Sequence, residues 1–170
     1  MNKRRTLSPT ATRPVEIFVS YSHQNAAWFA RLQPVLKFTE PSANVAHIWH
    51  DQELKAGDRW DNEIRAALKA ADIFVCLVSY ESVVYSDYIT QVELPAALAR
   101  AKKGEMVIVP IVLYPMNLQE DCPALHVFNP LPVWGKCWYD YEQNGGHYQA
   151  AHKPIRDGLR QAIEKVQAKR

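Results

Sequence analysis

The side chains best equipped for chemistry lie at or just beyond the ends of three apolar runs. The run VEIFVS closes on Ser20 and is followed by Tyr21, Ser22 and His23. A second run ends at Trp49, with Asp51 and then Trp60 after it. A third, IFVCLVS, leads into SYESVVYSDY, which holds Ser86 and Tyr88, and Glu93 follows five residues later. Carboxylates, hydroxyls, one imidazole and aromatic rings of this kind can bind a polyhydroxylated ligand, stabilise a developing positive charge and stack on a planar ring. Metal chemistry is not expected. His47 and His50 are three apart on a predicted strand, so they point to opposite faces and make poor joint ligands. The chain has neither a Gly-rich phosphate loop nor a Gly-x-Ser-x-Gly elbow.

The elements that must carry these residues follow from periodicity. Val15–Ser20, residues 44–49, Ile73–Ser79 and Met106–Tyr114 read as strands, the third uniformly apolar as befits a strand buried on both faces. Between them, Asn25 is a plausible cap for a helix through Trp28, Leu32, Val35 and Leu36, with Pro34 predicting a kink or an early end. Ile64, Ala67, Leu68 and Ala71 share one helical face. A further helix spans SDYITQVELPAALARAKK, with Ser86 as its expected cap and Pro95 expected near its first turn. That placement sets Glu93 near the positive end of the helix dipole and predicts an ionised carboxylate. Residues 115–146 show no clear period, and a last amphipathic helix covers about Ala150–Val166.

Strands alternating with helices predict an α/β fold: a short central parallel sheet with right-handed crossovers and helices on both faces. Ligands bind such sheets beyond the carboxyl ends of the strands, where the polar segments above are found. The organisation expected is a flexible arm at 1–14, one domain at 15–167 and a tail at 168–170.

Composition narrows the function classes. A net charge of +2, with much of the basic excess at the two ends, argues against a direct nucleic-acid contact. Three cysteines without Cys-x-x-Cys spacing, Cys76 among them inside an apolar run, point to a reducing cytoplasmic setting rather than a disulfide scaffold. No apolar run reaches membrane-spanning length, and the basic start lacks the apolar stretch of a secretory signal.

Four segments, in order, resemble the TIR (Toll/interleukin-1 receptor) domain family in its bacterial form. They are EIFVSYSH, IWHDQELKAGDRWDNEIRAAL, ADIFVCLVSYESVVYSDYITQVELPAAL, and MVIVPIVLYP with the later PLPVWGK. The likeness extends over about Val15–Val166 and implies a flavodoxin-like fold. It divides the functional expectation between two classes: enzymes that cleave the nicotinamide–ribose bond of NAD⁺, and non-catalytic TIR–TIR interaction modules acting as signalling adaptors or virulence factors.

The enzymatic resemblance implies that Glu93 is the catalytic carboxylate, stabilising an oxocarbenium-like ribose, with NAD⁺ as substrate and no cofactor. Its competing role is a solvated helix residue. Ser20, Tyr21 and His23 correspond to a nucleotide-contacting segment, although arginines found in some relatives are replaced here by Ser22 and His23. Asp51 is expected to bind a ribose hydroxyl or orient the loop after it. Trp60 either stacks on a base or anchors its helix beside Ile64. Tyr88 stands for the aromatic of a Trp-x-x-x-Glu pattern, but one residue farther from the glutamate, and a core or rim role competes. Gly57 is expected to supply a positive φ in the BB loop. The products implied are nicotinamide with ADP-ribose or a cyclic isomer. The implied setting is antiphage defence, with activation by self-assembly and a sensor domain or subunit among the partners the resemblance implies.

Overall fold

The computed structural model describes residues 13–39, 45–51 and 59–170. Gly57, the loop around it and most of the N-terminal arm lie outside the described residues, so the expectations for them stand as they were.

Four strands form one all-parallel sheet in the order β2–β1–β3–β4: β1 is Val15–Ser20, β2 Val45–Trp49, β3 Ile73–Val78 and β4 Val107–Val112. The register sets Ile17 beside Ile73 and Ile73 beside Val107, so the apolar runs lie abreast. Strand β3 is buried at every residue because helices cover both of its faces. On one face, α1 (Ala26–Thr39) and α7 (His152–Gln167) bring Phe29, Leu32, Ile155 and Leu159 onto Ile17 and Val75. On the other, α2 (Trp60–Ala70) and α4 (Leu94–Lys102) set Ile64, Leu68 and Ala97 against Phe18 and Phe74. Crossovers of this order reverse direction between β1 and β3, so the strand ends there splay and leave a crevice.

Three expectations need correction. Asn25 does not cap α1. A 3₁₀ turn at His23–Asn25 precedes the helix, Ser22 caps that turn, and Asn25 is buried, accepting a hydrogen bond from the Ser79 hydroxyl at 2.7 Å. Nor does Pro34 end α1, which runs on to Thr39; Pro34 is exposed, while Leu32, Val35 and Leu36 are buried against the sheet and hold the helix together. Pro95 is not near a helix start either. The helix occupies residues 87–102, beginning with an α turn, passing through a π-turn at Ile89–Glu93, and continuing as α4 with Pro95 well inside. Ser86 does cap it, accepting a long hydrogen bond from the Ile89 N–H at 3.4 Å.

The unpatterned stretch after β4 is a chain of short turns: α3 (Tyr80–Val83) has its counterparts there in α5 (Leu118–Asp121) and α6 (Pro123–His126). Two 3₁₀ segments, Trp138–Gly145 and Tyr148–Ala151, then lead into α7. Trp138 is fully buried in this region, whereas Trp134 is half-exposed. Among the described residues no helix is long and apolar enough to cross a membrane.

Candidate active site

The crevice where the order reverses is a cavity of about 470 Å³. All seven side chains singled out from the sequence line it: Ser20, Tyr21, His23, Asp51, Trp60, Tyr88 and Glu93. They arrive from separate parts of the chain. Strand β1 delivers Ser20 at its carboxyl end and Tyr21 just after it, the 3₁₀ turn delivers His23, the segment after β2 delivers Asp51, α2 delivers Trp60, and the helix at 87–102 delivers Tyr88 and Glu93.

Glu93 is 8% exposed, with Ile89, Leu94 and Ala97 buried beside it. The Ser20 hydroxyl donates a hydrogen bond to its Oε2. Burial pushes the Glu93 carboxyl up to about 7, against the lowering effect of Ser20 and with a further upward push from the Asp51 charge. The dipole expectation is therefore corrected: Glu93 lies beyond the first turn of its helix, and loss of water outweighs the helix field. The solvated-residue reading fails for the same reason.

Asp51 is held from two sides, by the Tyr21 hydroxyl at 2.5 Å and by His23 Nε2 at 2.9 Å. His23 itself is 89% exposed, so its ring stands at the mouth of the cavity. Tyr21 is buried and stacks on Phe29 with ring centroids 4.5 Å apart. The rim opposite is aromatic. Trp60, 53% exposed, begins α2 and lies against Tyr88 at 4.7 Å between centroids. The Tyr88 hydroxyl donates to Asp61 Oδ1 at 2.7 Å, and Arg65 chelates the same carboxylate one helical turn on. Burial first and the Asp61 bond second push the Tyr88 phenol up, which keeps it a neutral donor. Trp60 thus does not bury itself as a helix anchor; half its surface remains available to a planar ring.

Sequence reasoning missed several contributors. Glu81 is a third carboxylate in the cavity, held below the ordinary range by the neighbouring Ser79 side chain first and then by its own backbone N–H. Beneath it, Ser79 and Ser82 form a reciprocal cap at the start of α3. Tyr85 at the mouth is 74% exposed, and Asp61 fixes Tyr88 from α2. Glu81 and Tyr85 lie within SYESVVYSDY, a segment marked as a whole by the strand-end rule, but nothing local distinguishes them from their neighbours. No group of three or more metal-ligating side chains occurs among the described residues.

A family model described as TIR domain matches residues 17–153. An uncharacterized protein of Sinorhizobium fredii, y4lF, is 31% identical over 97 residues, which is 57% of this chain. The match spans 29% of that relative's own length. A solved structure, the TIR domains of the activated Roq1 resistosome directly recognizing the pathogen effector XopQ, aligns over 89% of this chain and 82% of that one, at 19% identity and a TM-score of 0.45. With the family match covering most of the chain and a four-stranded parallel sheet beneath it, this protein belongs to the TIR domain family.

Proposed function

We propose that this TIR domain is an NAD⁺ glycohydrolase with Glu93 as its catalytic carboxylate. One observation carries the reading: a buried glutamate, hydrogen-bonded by Ser20, lines a cavity at the switch point of the sheet, and its rim presents an exposed indole. The nicotinamide ring stacks on Trp60 and Tyr88, and its ribose reaches down to Glu93. As the C–N bond breaks, its electron pair leaves with the nicotinamide nitrogen, and positive charge spreads over the ribose C1′ and ring oxygen. The Glu93 carboxylate faces that charge in a water-poor site, where the attraction is strong. Nicotinamide is a cation before cleavage and neutral afterwards, so no general acid is required. Water then adds to C1′ and releases a proton, giving ADP-ribose; attack by the substrate's own adenine gives a cyclic isomer instead.

A carboxyl that titrates near 7 without ligand is converted to carboxylate by the arriving cation, since opposite charges at close range favour ionisation. Asp51 is poised for a ribose hydroxyl, its two partners at 2.5 and 2.9 Å fixing its orientation. On this reading the reaction serves bacterial antiphage defence and is switched on when TIR domains self-assemble, with a sensor domain or subunit as a further partner.

The test is chromatographic detection of nicotinamide at low and high protein concentration, for the natural chain and for Glu93→Gln. Release that rises steeply with concentration and disappears in the variant is expected. Equal release from the variant would remove Glu93 from the mechanism. No release in any assembled state, with a TIR–TIR complex unaffected by the substitution, would assign the domain to the interaction modules instead.

A further inference from the structure

In a regular α-helix, residues four apart share a face, while residues five apart diverge by about 140°. Tyr88 and Glu93 are five apart, yet both line the same cavity. The π-turn at Ile89–Glu93 reconciles the two facts. Its closing hydrogen bond runs from the Leu94 N–H to the Ile89 carbonyl, five residues back, so one extra residue is accommodated in the turn. The same turn buries Ile89 and Leu94 together, a pair that an unbroken α-helix would set on different faces.

A proline two residues beyond Glu93 bears on this turn. Pro95 has no N–H for the Gln91 carbonyl, and in an α-helix its ring would strike that carbonyl. A turn opened over Ile89–Glu93 is a way to relieve that clash. Pro95 is exposed, so it contributes through backbone geometry rather than packing.

We propose that Pro95 is a positioning residue: by holding the π-turn open, it brings Tyr88 and Glu93 into register at the cavity. The inference rests on the reading of Glu93 as the reacting carboxylate. It also accounts for the aromatic-to-glutamate spacing, one residue longer here than in Trp-x-x-x-Glu. The π-turn absorbs the added residue and returns Tyr88 to the wall of the cavity.

Two variants test this: Pro95→Ala, and Pro95→Ala combined with deletion of the exposed Gln91. The first lets the turn close to α geometry, so kcat for NAD⁺ is expected to fall about 10²-fold, the scale of a misplaced catalytic group. The deletion restores a four-residue spacing in a regular helix and is expected to recover most of that loss. A second readout is independent of turnover. The pH dependence of melting, compared with and without Glu93→Gln, reports the Glu93 titration, near 7 in the natural chain and shifted toward the ordinary carboxylate range in Pro95→Ala. Natural kcat and titration in Pro95→Ala would overturn the proposal, as would a deletion variant no better than Pro95→Ala. Absence of turnover in every form would refute the glycohydrolase reading alone, leaving the titration to decide the role of Pro95.

Discussion

Replacing Glu93 with Gln should stabilise the fold while removing its activity, and the gain should depend on pH. The Glu93 carboxyl rises from 4.5 to about 7 on folding because burial penalises its charged form. Between those values the native state holds a proton that the unfolded chain has released, so stability falls as pH rises through the window and levels off above it. At about 1.4 kcal/mol per pH unit the penalty is roughly 1 kcal/mol near pH 5 and about 3 kcal/mol near pH 8. Glutamine keeps an oxygen to accept the Ser20 hydrogen bond but carries no charge, so its own cost does not vary with pH. The difference in stability between variant and natural chain should therefore grow by about 2.5 kcal/mol from pH 5 to pH 8, or about 5–10 °C in Tm for a domain of this size. Paired thermal melts across that range measure it, and other titrating groups cancel in the comparison. A difference that stays constant with pH would refute the argument, because it would mean that Glu93 is no harder to ionise in the native state than in the unfolded chain.

Three further outcomes are expected. The kcat/KM for NAD⁺ should rise with pH along a limb near 7, the Glu93 value in the free protein; a flat profile from about pH 6 to about pH 8 would contradict its role as carboxylate. Trp60→Ala should raise KM about five- to tenfold, the worth of a stacking contact of about 1 kcal/mol, while changing Tm little because the indole is half-exposed; an unchanged KM would return Trp60 to a purely structural role. Asp72→Ala should cost about 2 kcal/mol in urea unfolding, since the buried carboxylate accepts hydrogen bonds from Arg13 and the Glu16 N–H and pairs with Arg170 at the opposite end of the sheet from the cavity; a loss below about 0.5 kcal/mol would show that clasp to be ornamental.

What could be read in the sequence was whatever a single local pattern determines. Strand β3 is a continuous apolar run and β1 an apolar run broken only by Glu16, so both are apparent from the chain itself. Helix α7 was equally legible, with Ile155, Leu159 and Ile163 all buried at the expected spacing. The strand-end rule located the cavity before any of its contacts were known. Asn25 went astray because its partner is Ser79, 54 positions away, and a cap judged from neighbours alone cannot anticipate that. The early end that Pro34 suggested does not occur because burial of its neighbours on α1 outweighs its intrinsic cost. Residues 115–146 stayed unreadable because turns of four to eight residues have no room for a helical or strand period to repeat.

Glu93 was the hardest residue to place, and the reason bears on function. Its exposure could not be settled by periodicity because the period itself changes at Ile89–Glu93. Three departures from ordinary folding rules lie in this turn or directly beyond it: a buried carboxylate, a π-turn and a proline inside a helix. Each is destabilising alone, and among the described residues they occur together only here. A fold under pressure only for stability would have replaced Glu93 with an apolar residue and Pro95 with alanine, recovering several kcal/mol by the ordinary magnitudes for such changes. Departures of this kind are retained where the site needs them. Here they meet at a carboxyl group held out of water in the wall of the cavity that Trp60 and Tyr88 also line. The concentration of unfavourable features around Glu93 is therefore independent support for its catalytic assignment, drawn from energetics rather than from resemblance.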